Sequence, residues 1–349
     1  MMLQRRQQVL PRMAAAWLLS LGVAFSLGLG VRVSQAQTST NAASTVTTAT
    51  TWPTKPVRIV APFPPGGSVD QVSRILANYL PPLLGQQVLV DNRGGASGAI
   101  GTAQVAKSAA DGYTWVVVFD THGVNPALIP NLGYDAKNDL APLMLIGRSP
   151  MLVTAHAALP YKNFSDVVAA AKARPESIGF GTIGSGSLGH LAMTLLQGQG
   201  NYRLTHVPYK GGGPMMQDAI AGHVPLAIGT VFVVSPHIQS RSIRPLAVTS
   251  AARATQFPDV PTMAEQGFKG FEAYAWWGML APARTPRPIM ERMHAEVSKL
   301  LAQRDARERL TQQGMDIVAS SPEEFGRFLD AEMQRWDKVV RDNNIKAGE

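Results

Sequence analysis

Short β-branched runs alternate with amphipathic stretches along most of the chain from Trp52 onward. Apolar runs of this length predict strands, and apolar residues spaced three and four positions apart predict helices. We expect strands at 57–60, 88–90, 113–119, 178–181, 204–207, 226–228 and 246–248. We expect helices at 69–80, 99–107, 165–173, 188–198, 214–221 and 235–239. This alternation favours parallel sheets covered by helices.

Two longer apolar stretches, 142–155 and 275–281, are interpreted as strands that cross between sheets. The last part of the chain, 286–344, is charged and helical, and Ser321-Pro322-Glu323-Glu324 is predicted to open its final helix. The simplest architecture is an α/β protein of two lobes, joined by two crossover strands. We place lobe 1 at 52–152 plus 277–349 and lobe 2 at 153–276. Ligands of such folds bind in the crevice between the lobes.

Residues 1–36 predict an export signal, because three arginines precede the apolar stretch 14–31 and small residues surround Ala36. Cleavage is expected near Ala36. The alternative is a membrane anchor, since the stretch lies at the lower edge of the roughly 17–25 residues that span a bilayer. Residues 37–51 are mostly Thr, Ser and Ala without charge and are interpreted as a flexible leader. The mature protein is therefore expected in the periplasm.

Composition excludes several classes of function. The 349 residues contain no cysteine, which rules out disulfides, thiolate metal sites and a cysteine nucleophile. The net charge of +8 would suggest a nucleic-acid partner, but the first 51 residues carry four arginines and no acid. The remainder has 28 basic against 24 acidic residues, with no dense basic stripe. We therefore predict no nucleic-acid partner.

Three glycine-rich turns, 63–70, 94–101 and 181–190, each join a predicted strand to a predicted helix. A helix N-terminus leaves backbone N–H groups unpaired and carries a partial positive charge, which suits a carboxylate or a phosphate. For the first and third turns the alternative is ordinary helix capping by a serine or an aspartate. For the second turn the small residues equally suit close packing of helix on sheet.

The third turn also matches G-x-G-x-x-G at Gly184, Gly186 and Gly189, which leaves a nucleotide-cofactor enzyme as an alternative. No acidic residue for a ribose hydroxyl follows in 204–210, so this match is weak. No G-x-S-x-G or H-E-x-x-H motif is present, and we predict no catalytic residue, metal or cofactor. Acids after the strand 113–119, including Asp120, are interpreted as solvated loop residues. His122 and Asn125 could face the crevice, and a role in the turn is the equal alternative.

Taken together and in order, these loops resemble a known family. The carrying segments are Phe63–Asp70 with Arg74, Asn92–Gly101, Asp111–Tyr113, Gly184–Leu191, Val207–Gly211 with Pro214, Leu246–Ser250, Pro258–Gly267, Trp277-Gly278 and Ala281-Pro282. From about Trp52 to its C-terminus the chain resembles the substrate-binding proteins of tripartite tricarboxylate transporters, also called the Bug family.

The resemblance implies a type II periplasmic binding protein of the Venus-flytrap kind, with no enzymatic activity and a monomeric state. Such a protein closes on a small organic carboxylate and delivers it to membrane permease subunits. An extracytoplasmic sensor that presents the ligand to a signalling receptor is the alternative. The ligand-binding residues implied by the resemblance and the loop pattern are Phe63, Gly67, Ser68, Asp70, Thr121, Ser185, Gly186, Ser187, His190, Tyr209 and Thr230.

One position departs from the family. The loop after strand 226–228 has Gly229 where family members often carry an aspartate. An ammonium group on a ligand would lose that partner. We therefore expect a ligand without a cationic amine, such as a di- or tricarboxylate or an aromatic carboxylate.

Overall fold

A computed structural model describes residues 52–346 of the chain. The predicted signal and leader, 1–36 and 37–51, lie outside the described residues. The strands are β1 Val57–Ala61, β2 Val88–Asn92, β3 Thr114–Phe119, β4 Leu140–His156, β5 Gly179–Thr182, β6 Thr205–Pro208, β7 Leu226–Thr230, β8 Ile243–Val248, β9 Tyr274–Pro282 and β10 Asp316–Ile317. The helices are α1 Ser68–Tyr79, α2 Pro81–Leu84, α3 Ala99–Ala106, α4 Thr121–Leu128, α5 Phe164–Ala173, α6 Leu188–Gly200, α7 Gly212–Ala221, α8 Val231–Gln239, α9 Arg287–Ala302, α10 Arg304–Gln312 and α11 Pro322–Asp342.

The strands follow the order β2-β1-β3-β9-β4-β7-β5-β6, with β8 and β10 also paired to β4. Strands β1, β2 and β3 pair in parallel, and so do β5, β6 and β7. The expected parallel sheets are therefore present. They are joined by antiparallel pairs that involve β4 and β9, so the whole is mixed.

Strand β4 belongs to both parts of the sheet. Its first part, Leu140–Pro150, pairs with β9 beside β3, and we call this side the first sheet. Its second part, from Met151 to His156, pairs with β7 and β8, and we call this side the second sheet. The predicted crossing at 142–155 is thus one continuous strand.

Packing of the C-terminal helices agrees with the expected return to the first sheet. A Cβ on Gly278 of β9 would clash with the Phe325 ring of α11, so glycine is needed where helix and sheet touch. The predicted start of the last helix is confirmed, because Ser321 Oγ accepts from the Glu324 N–H and Glu324 Oε2 accepts from the Ser321 N–H. The proposed lobe boundaries remain a prediction.

Helices α4 and α8 differ most from expectation, and the short helix α2 was not predicted either. Helix α4 was not predicted, and α8 begins at Val231, four residues before the predicted start. Both contain a proline, Pro126 and Pro236, and such residues lower the helical signal of a sequence. Both helices follow directly on a strand that is buried along its whole length.

Candidate functional site

The first proline- and glycine-rich turn leads from β1 into α1 and is fixed by Asp70. The Asp70 carboxylate accepts hydrogen bonds from the Gly66 N–H, Arg74 Nε and Asn92 Nδ2, each at 3.0 Å. Burial acts to raise the pKa of Asp70, but these donors outweigh it and hold the pKa below its ordinary value. Asp70 thus holds the turn in place with its charge already compensated, and it lies behind the cavity rather than in its wall.

A second run of glycines meets this turn from the other sheet. Gly211 precedes helix α7, and its φ of +137° favours glycine. A Cβ on Gly213 would lie 2.9 Å from the Pro65 carbonyl oxygen, and a Cβ on Gly212 would lie 3.7 Å from Gly67 Cα. The glycine run therefore brings the N-terminus of α7 into contact with the turn that opens α1.

A cavity of about 20 Å³ lies at this contact, and we call it the central cavity. Three helix N-termini reach it: α1 through Gly67 and Ser68, α7 through Gly212, and α8 through Gly229 and Thr230. The rest of its wall is apolar: Phe63, Val69, Phe119, Met151, Ile183, Met215 and Val233. Converging N-termini concentrate unpaired N–H groups and positive partial charge at one point.

Thr230 contributes a polar side chain to this wall. It is 3% exposed, and its Oγ1 atom has no hydrogen-bond partner among residues 52–346. Although Thr230 occupies the N-cap position of α8, its side chain makes no capping hydrogen bond. A buried hydroxyl without a hydrogen-bond partner is unfavourable. The Thr230 hydroxyl is therefore able to donate to, or accept from, a ligand that enters the central cavity.

A larger cavity of about 200 Å³ adjoins the central one, and we call it the outer cavity. The two share Phe63 and Ile183 in their walls. The outer cavity is further lined by Gly95, Ala96, Ser97, Gly98, Gly184, Ser185, Pro208, Tyr209 and Lys210. Ser97 Oγ donates to the Ser185 carbonyl at 2.9 Å, which ties the second glycine turn to the third.

The third glycine turn is organised by its own helix. Ser187 is fully buried, and its Oγ accepts from the His190 N–H. The Gly186 N–H donates to His190 Nδ1 at 3.1 Å, and the His190 ring stacks on His206 at 3.9 Å between centroids. Burial, and then the neighbouring His206, lower the pKa of His190 to about 3, so this ring is neutral near pH 7. Gly186, Ser187 and His190 line neither cavity, and Ser187 acts as the N-cap of α6.

Asp120 corrects one sequence interpretation. The sequence pattern suggests a solvated loop acid, but Asp120 is fully buried. The N–H groups of Leu188 and Thr121 are near its carboxyl group without making a hydrogen bond of standard geometry. Burial above all, with a contribution from the charge of Glu332, raises the pKa of Asp120 well above its ordinary value.

The residues that follow Asp120 are also buried. Thr121 opens α4 at 2% exposure and lines neither cavity. His122 Nδ1 pairs with the Tyr134 hydroxyl at 3.1 Å, and burial lowers the pKa of His122 to about 4. Asn125 Nδ2 donates to the Ser97 carbonyl. His122 and Asn125 thus have structural partners, in the loop after α4 and in the second glycine turn respectively.

The eleven predicted site residues therefore separate into groups. Phe63, Gly67, Ser68 and Thr230 line the central cavity, and Phe63, Ser185 and Tyr209 line the outer one. The remaining five lie behind these walls: Asp70, Thr121, Gly186, Ser187 and His190. Their assignment as ligand contacts stays a prediction.

The sequence reading missed Gly212 and Lys210 as wall residues. Both lie in the segment Tyr209–Gly213, which joins a predicted strand to a predicted helix in the same way as the three turns that were chosen. The glycine run was thus the signal that could have identified them.

Two further observations concern residues 52–346. None of the helices there is both long enough and apolar enough to cross a bilayer. In the same range, no three His, Asp or Glu side chains are grouped so that they could hold a metal ion.

Solved structures with this fold define the class of the protein. The periplasmic binding protein BugD is 33% identical, with a TM-score of 0.81 over 84% of this chain and 99% of its own. Rpa4515 of R. palustris, solved with adipate, is 35% identical, with a TM-score of 0.82 over 84% and 99% of the two chains. MatC of Rhodopseudomonas palustris, solved with bound malate, is 30% identical, with a TM-score of 0.78 over 83% and 100%. The chain has the predicted α/β fold of two-lobed periplasmic binding proteins.

The sequence of residues 72–345 matches the family described as the tripartite tricarboxylate transporter family receptor. The chain therefore belongs to this family of receptors, and the resemblance stated from its loops is confirmed.

Proposed function

We propose that this protein is a periplasmic receptor that captures a small organic carboxylate between its two sheets and delivers it to the permease subunits of a tripartite transporter, without catalysing a reaction. The observation that carries the proposal is Thr230, a residue with a buried, unpartnered hydroxyl in the wall of the cavity where the N-termini of α1, α7 and α8 converge. A carboxylate there would accept from the hydroxyl and from backbone N–H groups, and each such charge-assisted hydrogen bond contributes about 1.5–3 kcal/mol.

The size of the central cavity implies movement during binding. A space of about 20 Å³ holds roughly one water molecule, which is less than a carboxylate ligand needs. We therefore propose that the turn before α1 and the glycine run before α7 separate to admit the ligand and close around it. The solved relatives support the ligand class, since one was solved with adipate and another with malate.

Binding can be tested with a panel of monocarboxylates, dicarboxylates, tricarboxylates and amino acids, screened by thermal shift and measured by calorimetry. We expect di- or tricarboxylates to bind and aspartate and glutamate not to bind, since Gly229 offers no partner to an ammonium group. Binding of the amino acids alone would overturn this choice of ligand.

The site can be tested with Ser68→Asp and Ser68→Ala. Ser68 is the first residue of α1 and lines the central cavity. An aspartate suits a helix N-terminus, so the fold should be retained, while its charge repels a carboxylate ligand. We expect S68D to abolish binding and S68A to weaken it at most modestly. Unchanged affinity in S68D would place the site elsewhere.

A further inference from the structure

We infer that Lys210 in the outer cavity binds a second carboxylate group, so that the natural ligand is a dicarboxylate whose apolar middle lies between the two cavities. This inference rests on the proposed function, because it takes the first carboxylate to bind in the central cavity. It adds a specificity-determining residue that was not among the predicted ligand-binding residues.

The charge of Lys210 is uncompensated. Lys210 is exposed, makes no ion pair with any residue in 52–346, and is the one charged residue in the wall of the outer cavity. The nearest acid along the chain, Asp218, accepts from the Tyr209 hydroxyl at 2.8 Å and lies beside His223. No residue lining either cavity is acidic. The side chain is thus available to an anion that enters the outer cavity.

The position of Lys210 in the chain adds to this argument. It directly precedes Gly211, the N-cap residue of the ten-residue helix α7. A cation next to a helix N-terminus is unfavourable because that end of the helix is itself positive. A bound anion would relieve this repulsion between Lys210 and the helix, so the unfavourable placement is the one expected for an anion-binding residue.

The space between the two cavities favours an apolar linker. The residues shared by the two walls are Phe63 and Ile183, both with hydrocarbon side chains. A methylene chain that passes between them would bury apolar surface, whereas hydroxyl or amino groups there would lose hydrogen bonds to water. The geometry therefore suits a linear dicarboxylate, with one end at Thr230 and the other at Lys210.

The test compares diacids with monoacids of equal length. Calorimetry would measure succinate, glutarate and adipate against butanoate, pentanoate and hexanoate on the wild-type protein, Lys210→Met and Lys210→Arg. We expect wild type to bind at least one diacid about tenfold to a hundredfold more tightly than its monoacid. K210M should lose that preference by weakening the diacid alone, and K210R should keep it. Lys172→Met, which removes an exposed, unpaired lysine from α5, controls for net charge and should change nothing.

The outcomes separate the two proposals. If no carboxylate of the panel binds the wild-type protein, the proposed function itself is wrong. If diacids bind tightly and K210M leaves their affinity unchanged, the role of Lys210 is wrong and the proposed function stands. If wild type binds each monoacid as tightly as its diacid, the inference of a second carboxylate is overturned.

Discussion

Replacing Thr230 by valine should make the ligand-free protein more stable and its ligand binding weaker. Valine has nearly the same shape as threonine and removes a hydroxyl that is buried without a partner. An unsatisfied buried polar group costs about 1–3 kcal/mol, so the free energy of unfolding should rise by up to that amount. The lost hydrogen bond to a charged ligand should weaken binding by about 1.5–3 kcal/mol, which is roughly tenfold to 150-fold in Kd.

A matched control exists in Thr154 of β4. Its Oγ1 donates to the Ala227 carbonyl at 3.1 Å, and the residue is fully buried. Thr154→Val should therefore lower stability by about 1 kcal/mol and leave affinity unchanged. Urea unfolding without ligand and calorimetry with the tightest carboxylate of the panel measure the two quantities. A T230V protein that is destabilised like T154V and binds normally would refute the assignment of Thr230.

Two further substitutions test other parts of the site. Gly213→Ala places a Cβ 2.9 Å from the Pro65 carbonyl oxygen, so it should oppose closure and weaken ligand binding about tenfold in calorimetry. Gly198→Ala in helix α6 is the control, because its Cβ would have no atom within 4 Å. This control should raise the free energy of unfolding by about 0.5–1 kcal/mol and bind the ligand normally. Burial raises the pKa of Asp120 in the folded protein above its pKa in the unfolded chain. At a pH between these two pKa values, the unfolded chain has lost a proton that the folded protein retains. The free energy of unfolding therefore falls as the pH rises through this range. Asp120→Asn should therefore be more stable than wild type near about pH 8, with a difference that shrinks toward about pH 4 in urea titrations; equal stability at both would contradict the burial of a titrating carboxyl group.

Local signals in the sequence were enough to predict the turn before α1. The turn before α1 is marked by consecutive prolines and glycines after a β-branched run. Proline fixes the φ angle and glycine permits positive φ angles, so both effects can be predicted from the residue type alone. Strand β3 was likewise predictable, because all six of its residues are apolar or small enough to be buried on both faces.

Long-range packing decided what the sequence could not show. The turns before α6 and α7 are both rich in glycine and both lie between a strand and a helix. The N-terminus of α7 nevertheless reaches the central cavity, whereas the residues that open α6 pack behind it. Gly186, for example, lies against Leu128 of α4. The burial of Asp120 depends on α6 and α11, which follow it by many residues in the chain. A single sequence indicates which residues form a turn, but not which turns meet.

The point where β4 passes from one sheet to the other lies next to Thr230. Pairing with β9 ends at Pro150, and the next residue, Met151, pairs with Thr230 of β7. A change in the angle between the sheets therefore displaces Thr230 very little, and the displacement grows with distance from β4. If the sheets close around a ligand as proposed, the outer rims of the molecule are where a loaded receptor would differ most from an empty one, and a membrane partner that touches both rims would respond to the ligand without contacting it.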